Sequence, residues 1–442
     1  MSVEAPRNVL IVGSGAREHA IGWKIHQDAQ KSGQSVKQHF APGNAGTSEL
    51  GTNHDIGAED IDKITDFAVD QGINLVIFGS EAPLFAGGVN AIEEAARKKG
   101  VDGVDLEAFG PSQEAARLEG SKAFAVRFME EYKIPHPKSE ILNSFNEAID
   151  YLRRNDPTKL VLKADGPALG KGVFLPSSFD EAEELLRKMM LEGIFGEAGK
   201  PVVGQERLRG TEASVIGFVS NEIGLLIPAR DYKRAYDGDE GPNTGGIGAY
   251  APSDEITQED LDEIYFRILS PTREGMRRRD TPFKGALYAG LMLTDDGPQV
   301  LEYNVRFGDP ETQVQMRLLR SNLLTLIKKT IKGSLQRFDV RSSAEHSVGV
   351  VFASGGYPSE YETGRIISGL DKIEEGIEIF HAGTRINENG EHETSGGRVL
   401  TVTATGETRE EARNKTYSAL GREGEEGKIW VEGGFYRSDI AA

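Results

Sequence analysis

Apolar residues recur along this chain in two periods, and the alternation between them outlines its domains. Short apolar runs at 8–12, 36–41, 73–78 and 107–109 read as strands, and helical spacing fills 20–25, 59–71 and 89–99 between them. Strand and helix alternating in this way predict one doubly wound α/β domain over 1–111. Helical spacing resumes at 112, breaks near Gly120 and continues over 121–132. Strands are then expected at 138–142, 160–163, 172–175, 202–208, 211–219, 285–293 and 300–305, and helices at 145–154, 178–192, 257–279, 313–320 and 323–331. From 333 the texture changes to short strands at 348–353, 378–382 and 399–405, divided by glycine-rich turns, with a helix at 410–420. The expected architecture is multidomain, α/β and α+β, with a central domain at 112–332 and a small α+β domain at 333–442.

The stretch Val300-Leu-Glu-Tyr-Asn-Val-Arg-Phe-Gly-Asp-Pro-Glu-Thr-Gln313 concentrates the candidate chemistry. Period-two alternation puts Glu302 and Asn304 on one face of a strand. A carboxylate beside an amide oxygen suits a hard cation that shares its remaining shell with phosphate and water. Arg306 follows on the same face, where a guanidinium can grip a carboxylate or phosphoryl group by two parallel hydrogen bonds. Asp309 is expected to cap the next helix, with Pro310 in its first turn.

Other segments point to phosphate. The first strand runs into Gly13-Ser-Gly15-Ala-Arg17-Glu18-His19, a Rossmann-like strand–turn–helix opening whose helix N-terminus can receive an anion. It departs from the dinucleotide fingerprint: Glu18 stands at the third glycine position, and the second strand ends in Pro42-Gly-Asn-Ala-Gly46-Thr47 with no acidic residue for a ribose. Arg17 suggests a phosphate monoester instead. Glu81 follows the strand at 73–78, at the carboxyl end where ligands of open α/β sheets bind. Lys163 sits in an apolar strand, where an unpaired ammonium is costly. That strand leads to Gly170-Lys171-Gly172, a glycine loop able to offer backbone N–H groups to phosphates, followed by Val173 rather than the Ser or Thr of a P-loop. A second glycine-rich region, Arg230-Asp231-Tyr-Lys233-Arg234 through Pro242-Asn-Thr-Gly245-Gly246, reads as a further anion site in a polar loop. Arg398, after two glycines, reads as an exposed arginine.

Composition narrows the class. With 51 Lys+Arg against 70 Asp+Glu, a net charge of -19 argues against broad nucleic-acid binding and against anionic membranes. There is no cysteine, so disulfides and thiolate chemistry are excluded. No apolar run approaches the roughly 20 residues of a membrane span. The N-terminus lacks the apolar core of a signal peptide. A soluble, cytoplasmic, monomeric enzyme is the expectation.

A lysine strand with a Gly-Lys-Gly loop, a downstream strand pair at Glu206–Glu212 and a Glu-x-Asn strand, in that order, resemble the ATP-grasp superfamily. Within it the chain is similar to the phosphoribosylamine–glycine ligase family. Arg306-Phe-Gly-Asp-Pro-Glu-Thr-Gln313 looks like that family's signature, supported by Gly15–His19, Ala41–Thr47, Leu118-Glu-Gly-Ser-Lys122, Lys163–Gly166, Pro242–Gly246 and Phe380–Thr384. The resemblance implies an ATP-grasp central domain with a nucleotide lid at about 121–193, and a reaction joining glycine to 5-phosphoribosylamine through glycyl phosphate, with ATP going to ADP and phosphate in purine synthesis. It implies Glu302 and Asn304 as ligands of Mg²⁺ or Mn²⁺, and Lys122, Lys163, Gly170, Lys171 and Gly172 on the ATP phosphates. Glu206 and Leu208 would meet adenine, and Glu212 the ribose hydroxyls. Gly13, Gly15, Arg17, Glu18, Asn44, Gly46, Thr47 and Glu81 would line the substrate phosphate, and Lys233, Arg234, Asn243, Gly245 and Gly246 the glycine and ribose side. Arg306 and Asp231 would be catalytic, Arg306 by positioning the acyl phosphate. The chain departs from the pattern at Gly290, where some relatives carry Gln, and at Gln205 and Arg207. The alternatives are a bicarbonate-using ATP-grasp carboxylase, a dinucleotide oxidoreductase resting on Gly13–Gly15, and a nucleotide-binding regulatory protein without turnover.

Overall fold

The structure, a computed structural model, describes residues 7–99, 106–167 and 172–442. Its N-terminal sheet is parallel throughout, with strands in the order Thr52–Asn53, Lys37–Pro42, Asn8–Gly13, Leu75–Phe78, Glu107–Phe109. Val9 to Val12 and Leu75 to Phe78 are buried, as strands covered by helices on both faces must be. The helices are Ala16–Ser32, Ile61–Asp70 and Gly88–Lys99.

Two antiparallel sheets form the middle of the molecule. One pairs Ser139–Leu142, Val202–Glu206, Leu160–Ala164 and Val173–Phe174. It packs with helices Phe145–Arg154 and Phe179–Met190 around a core of its own that includes Leu142, Leu162, Leu186 and Val202. The other orders Ile223–Leu225, Thr211–Val219, Gly285–Thr294 and Gly297–Asn304. Both of its faces share clusters with the N-terminal sheet: Leu10 with Val215 and Val300 on one, Ile11 with Ile216 and Phe307 on the other. The first sheet therefore has a separate core, whereas the second is built onto the N-terminal domain.

The C-terminal sheet takes in strands from well upstream. Arg230–Asp231 and Gly248–Ala251 join His346–Ala353, Arg398–Gly406 and Ile377–His381 in that order. The stretch 230–234, expected to be a loop, thus supplies one sheet strand and the start of the hairpin Arg234–Tyr236 with Glu240–Asn243. The helix expected at 257–279 is interrupted by a π-turn at Tyr265–Leu269, just before Pro271, whose ring nitrogen offers no helical hydrogen bond. The helix after the signature strand begins at Glu311 rather than 313, and Asp309 does not cap it; its carboxylate accepts instead from Gln313 Nε2 at 2.7 Å and from Arg398 Nη2 at 2.8 Å. Among the described residues no helix is long and apolar enough to cross a membrane.

Candidate active site

Glu302 is the point on which separate segments converge. Its strand pairs with Gly285–Thr294 so that Glu302 faces Gly290, and a Cβ at 290 would stand 3.2 Å from Glu302 Cγ. Glycine there leaves the carboxylate room, at the position where the chain departs from the family pattern. Burial pushes the Glu302 carboxyl up, but Lys233, Lys163, Lys122 and Arg306 outweigh it and hold it below the ordinary range. The carboxylate is therefore ionised and surrounded by cations from four segments.

Each cation is placed by local structure. Lys163 lies in strand Leu160–Ala164, buried, with its ammonium donating to the Leu301 carbonyl at 2.9 Å. Burial draws it down to about 8, against the pull of Glu302. Two residues on, Asp165 receives the N–H of Ala123 at 2.7 Å and the Ser121 hydroxyl, while its carbonyl accepts the Lys122 N–H. Ser121 also caps helix Lys122–Glu131. The lysine strand and the Lys122 helix are thereby locked together. Lys233 pairs with Asp231 at 2.7 Å, and the Ser214 hydroxyl, itself bonded to Tyr288 Oη at 2.7 Å, reaches Asp231 Oδ1 at 3.5 Å. Burial opposes the Lys233 charge, but Asp231, Tyr288, Glu302 and Glu311 more than offset it. Arg306 donates to Asn304 Oδ1 at 2.9 Å, to Glu81 Oε2 at 3.3 Å and to the Phe307 carbonyl at 3.3 Å. The expected one-face grouping of Glu302, Asn304 and Arg306 is present, and Glu81 joins it from the N-terminal sheet's carboxyl end.

Two acids that sequence reasoning did not single out complete this cluster. Glu119 accepts from the Val305 N–H at 2.7 Å and lies 3.5 Å from Arg306; burial raises it to about 7 despite that arginine. Glu311 is 2 % exposed and raised by burial, and its Oε1 has no hydrogen-bond partner among the described residues. Both lie inside blocks that carried the resemblance, but on helices, where an acid in the first or last turn reads as ordinary surface.

The residues expected at the nucleotide lie at the end of one middle sheet, in the link and at the start of the other. Glu206 ends strand Val202–Glu206 exposed, Leu208 lies half-buried in the link, and Glu212 is exposed in strand Thr211–Val219. Gly172 closes its hairpin by accepting from Ala164 N at 2.8 Å. Gly170 and Lys171 lie outside the described residues.

The N-terminal turn is bonded within itself. Glu18 Oε2 accepts from Gly15 N at 2.6 Å, and Glu18 Oε1 from Arg17 Nε at 2.6 Å. A Cβ on Gly13 or Gly79 would overlap the Glu18 side chain, so this carboxylate fills the space above the turn. Arg17 is buried and also donates to the Phe307 carbonyl at 3.2 Å. Asn44 donates to Ser14 O at 2.8 Å and to His381 O at 2.7 Å, and accepts from Gly46 N and Thr47 N. Beside Gly46, His19 Nδ1 accepts from the His381 N–H at 2.9 Å; burial lowers this imidazole to about 3, so it is a neutral joint between the N- and C-terminal domains.

On the remaining side, Arg234 and Asn243 face each other across the short hairpin, and Arg234 donates to Gly241 O at 2.6 Å. Gly246 has φ +108, and a Cβ there would lie 2.3 Å from Pro310 Cδ, so only glycine fits. Arg398 is not exposed: it is half-buried, clamping Gly245 and Gly246 to Asp309. In sum, Lys122, Lys163, Asp231, Lys233, Glu302, Asn304, Arg306 and Glu81 come together, whereas Arg17, Glu18, Asn44 and Thr47 form a structural knot beside them.

Three family profiles match the chain: "Phosphoribosylglycinamide synthetase, N domain" over 7–119, the "ATP-grasp (A) domain" over 120–312 and the "C domain" over 347–442. A phosphoribosylamine–glycine ligase of Caldanaerobacter subterraneus is 43% identical over 435 residues, 98% of this chain and 99% of that protein. The crystal structure of phosphoribosylamine–glycine ligase from Thermotoga maritima superposes with TM-score 0.81 at 35% identity, covering 98% of this chain and 100% of the other. A biotin carboxylase of Campylobacter jejuni shares the fold at TM-score 0.70 and 12% identity, over 98% of this chain and 93% of its own.

Proposed function

The chain belongs to the phosphoribosylamine–glycine ligase family, and from that premise we propose that it joins glycine to 5-phosphoribosylamine, with ATP going to ADP and phosphate, through glycyl phosphate in purine biosynthesis. The observation that carries this reading is the convergence of Lys122, Lys163, Lys233 and Arg306 on Glu302. A carboxylate is a poor electrophile, and phosphoryl transfer to it needs alignment and charge neutralisation more than covalent help. Lys122, Lys163, Gly170, Lys171 and Gly172 bind the ATP phosphates. Glu206 and Leu208 meet adenine, and Glu212 the ribose. Arg306, held by Glu81 and Glu119, steadies the acyl phosphate as the glycine oxygen takes the phosphoryl group and ADP leaves. Asp231, paired with Lys233, orients the amine that attacks the acyl carbon and displaces phosphate. Gly13, Gly15, Gly46, Asn243, Gly245 and Gly246 border the phosphoribosyl side, with Arg17, Glu18, Asn44 and Thr47 shaping that wall and Arg234 holding the hairpin next to it.

The donor set fits a hard divalent ion: an ionised carboxylate at 302 and an amide oxygen at 304. Among the described residues no three His, Cys, Asp or Glu side chains are grouped to hold a metal, so phosphate and water would complete the shell. Mg²⁺ or Mn²⁺ bound there would neutralise charge on the phosphates. We place the enzyme in the cytoplasm as a monomer, divided at 111/112 and 332/333 with a nucleotide lid at about 121–193.

Coupled ADP release with Mg·ATP, adding glycine and freshly generated phosphoribosylamine singly and together, tests the reading. Turnover only with both supports it. ATP turnover that ignores glycine, or follows bicarbonate, overturns the substrates and leaves the fold.

A further inference from the structure

Arg398 joins three parts of the molecule at one guanidinium. It stands at the start of the C-terminal strand Arg398–Gly406. Its Nη1 donates to the carbonyls of Gly245 at 2.6 Å, Gly246 at 3.3 Å and Asp309 at 3.0 Å, and its Nη2 to Asp309 Oδ2 at 2.8 Å. A Cβ on Gly15 would lie 3.7 Å from that same Asp309 oxygen, so the N-terminal turn abuts the clamp. Tyr357, also of the C-terminal domain, takes the Gly245 N–H on its hydroxyl at 3.1 Å. The held loop is in turn tied to the cation cluster. The Thr244 N–H and hydroxyl both donate to the Lys233 carbonyl, at 2.7 Å and 2.8 Å, and the Gly246 N–H donates to Thr244 Oγ1 at 3.0 Å. An unbroken chain of hydrogen bonds therefore runs from Arg398 through 244–246 to Lys233 and its partner Asp231.

Glycine-rich backbone has little stiffness of its own. The 244–246 loop contains two glycines and Gly245 is exposed, so its shape is held largely from outside, by Arg398 on its two glycine carbonyls and Tyr357 on the Gly245 N–H. A guanidinium suits this task because its donors form a rigid planar fork. We propose that Arg398, assisted by Tyr357, is a positioning residue: the C-terminal domain holds the 244–246 loop, and through it Lys233 and Asp231, in register with the phosphoribosylamine side of the site. This rests on the function proposed above. It gives the C-terminal domain, otherwise without side chains in the chemistry, a defined part in the acceptor half of the reaction and none in ATP binding.

The test uses the full-length protein with Arg398→Met and Tyr357→Phe, read by amide hydrogen exchange of the 244–247 segment and by separate KM values for the three substrates. In Arg398→Met the loop amides should exchange about tenfold faster or more, while those of strand His346–Ala353 keep their protection. KM for phosphoribosylamine should rise about tenfold with KM for ATP unchanged. Tyr357→Phe, which removes a single acceptor, should move both readouts the same way by less, and it carries the test if Arg398→Met does not fold. Unchanged loop exchange overturns the proposal. So does a parallel rise in both KM values with loss of protection across the central sheet, which would mark Arg398 as merely structural. If the wild-type enzyme does not use glycine and phosphoribosylamine, the functional reading fails on its own, and the exchange experiment still decides whether Arg398 holds the loop.

Discussion

Two polar knots stand side by side in this molecule, and they are built on opposite principles. At the Gly13–Glu18 turn, the charged and amide side chains answer one another: Glu18 takes Arg17 and the Gly15 N–H, and Asn44 takes Gly46 and Thr47. Around Glu302, charges of both signs are gathered from distant segments instead: Lys122, Lys163, Lys233 and Arg306 all bear on one carboxylate, with Asp231 paired to Lys233, Glu81 and Glu119 to Arg306, and, among the described residues, the Lys163 ammonium donating only to a backbone carbonyl. In the sequence both looked like ligand sites, because glycines and charged residues mark each. The difference lies in satisfaction. Side chains whose hydrogen bonds close on themselves hold the turn in shape, whereas buried charged groups whose protonation is shifted by burial and by one another, as at Lys163, Glu119 and Glu302, mark a place built for chemistry.

The comparison is sharpened most by Glu302→Gln. It removes the negative centre of the charged knot and should lower kcat by orders of magnitude in steady-state ADP release. Near-normal turnover would remove Glu302 from the mechanism. Glu18→Gln addresses the self-satisfied knot. It removes the carboxylate hydrogen-bonded to the buried Arg17, leaving Asp309 and Glu81 as its remaining acidic neighbours, and should lower the unfolding free energy by about 3 kcal/mol in urea titrations. A loss well under about 1 kcal/mol would mean that Arg17 finds another partner and that the turn is not the joint described.

Lys163 supplies a pH dependence. Its ammonium is lost as pH rises through about 8, far below lysine's ordinary value. Phosphates prefer the charged form, so Mg·ATP affinity, measured calorimetrically without glycine, should be greatest below about 8 and fall above it. Lys163→Arg, which stays charged, should flatten that profile; an equally steep fall in the variant assigns the titration elsewhere. The smallest effect concerns Glu119. Its carboxyl is raised to about 7 in the folded state, so between the ordinary 4.5 and 7 the folded chain binds more protons than the unfolded one. Stability contributed by this group is thus present at low pH and declines as pH rises through that window. Glu119→Gln should reduce the slope of unfolding free energy against pH there, and an unchanged slope would show that Glu119 is not the titrating group.

Much of this was legible in the order of residues. The strand–turn–helix opening at 8–25, the Lys163 strand and the Glu-x-Asn pairing each depend on periods of two or 3.6 residues, which short-range backbone geometry imposes wherever the chain lies. The Glu302, Asn304 and Arg306 grouping followed from alternation on one strand for the same reason. Other features have no local signature. Arg398 read as exposed because nothing within several residues of it shows that Asp309 and Gly245 arrive from 89 and 153 residues away. Asp309 read as a helix cap because its neighbours permit one, yet Arg398 and Gln313 hold it. Glu119 and Glu311 were passed over because their departures from ordinary carboxyl behaviour come from desolvation, which exists only once other elements have closed around them. The sequence by itself determined the strands, the helices and the family to which they belong, because hydrophobic periodicity and motif spacing are properties of neighbours. Tertiary structure alone decided which charges are answered within the protein and which are left for a ligand, because electrostatic balance depends on distances between segments that the chain brings together only when it folds.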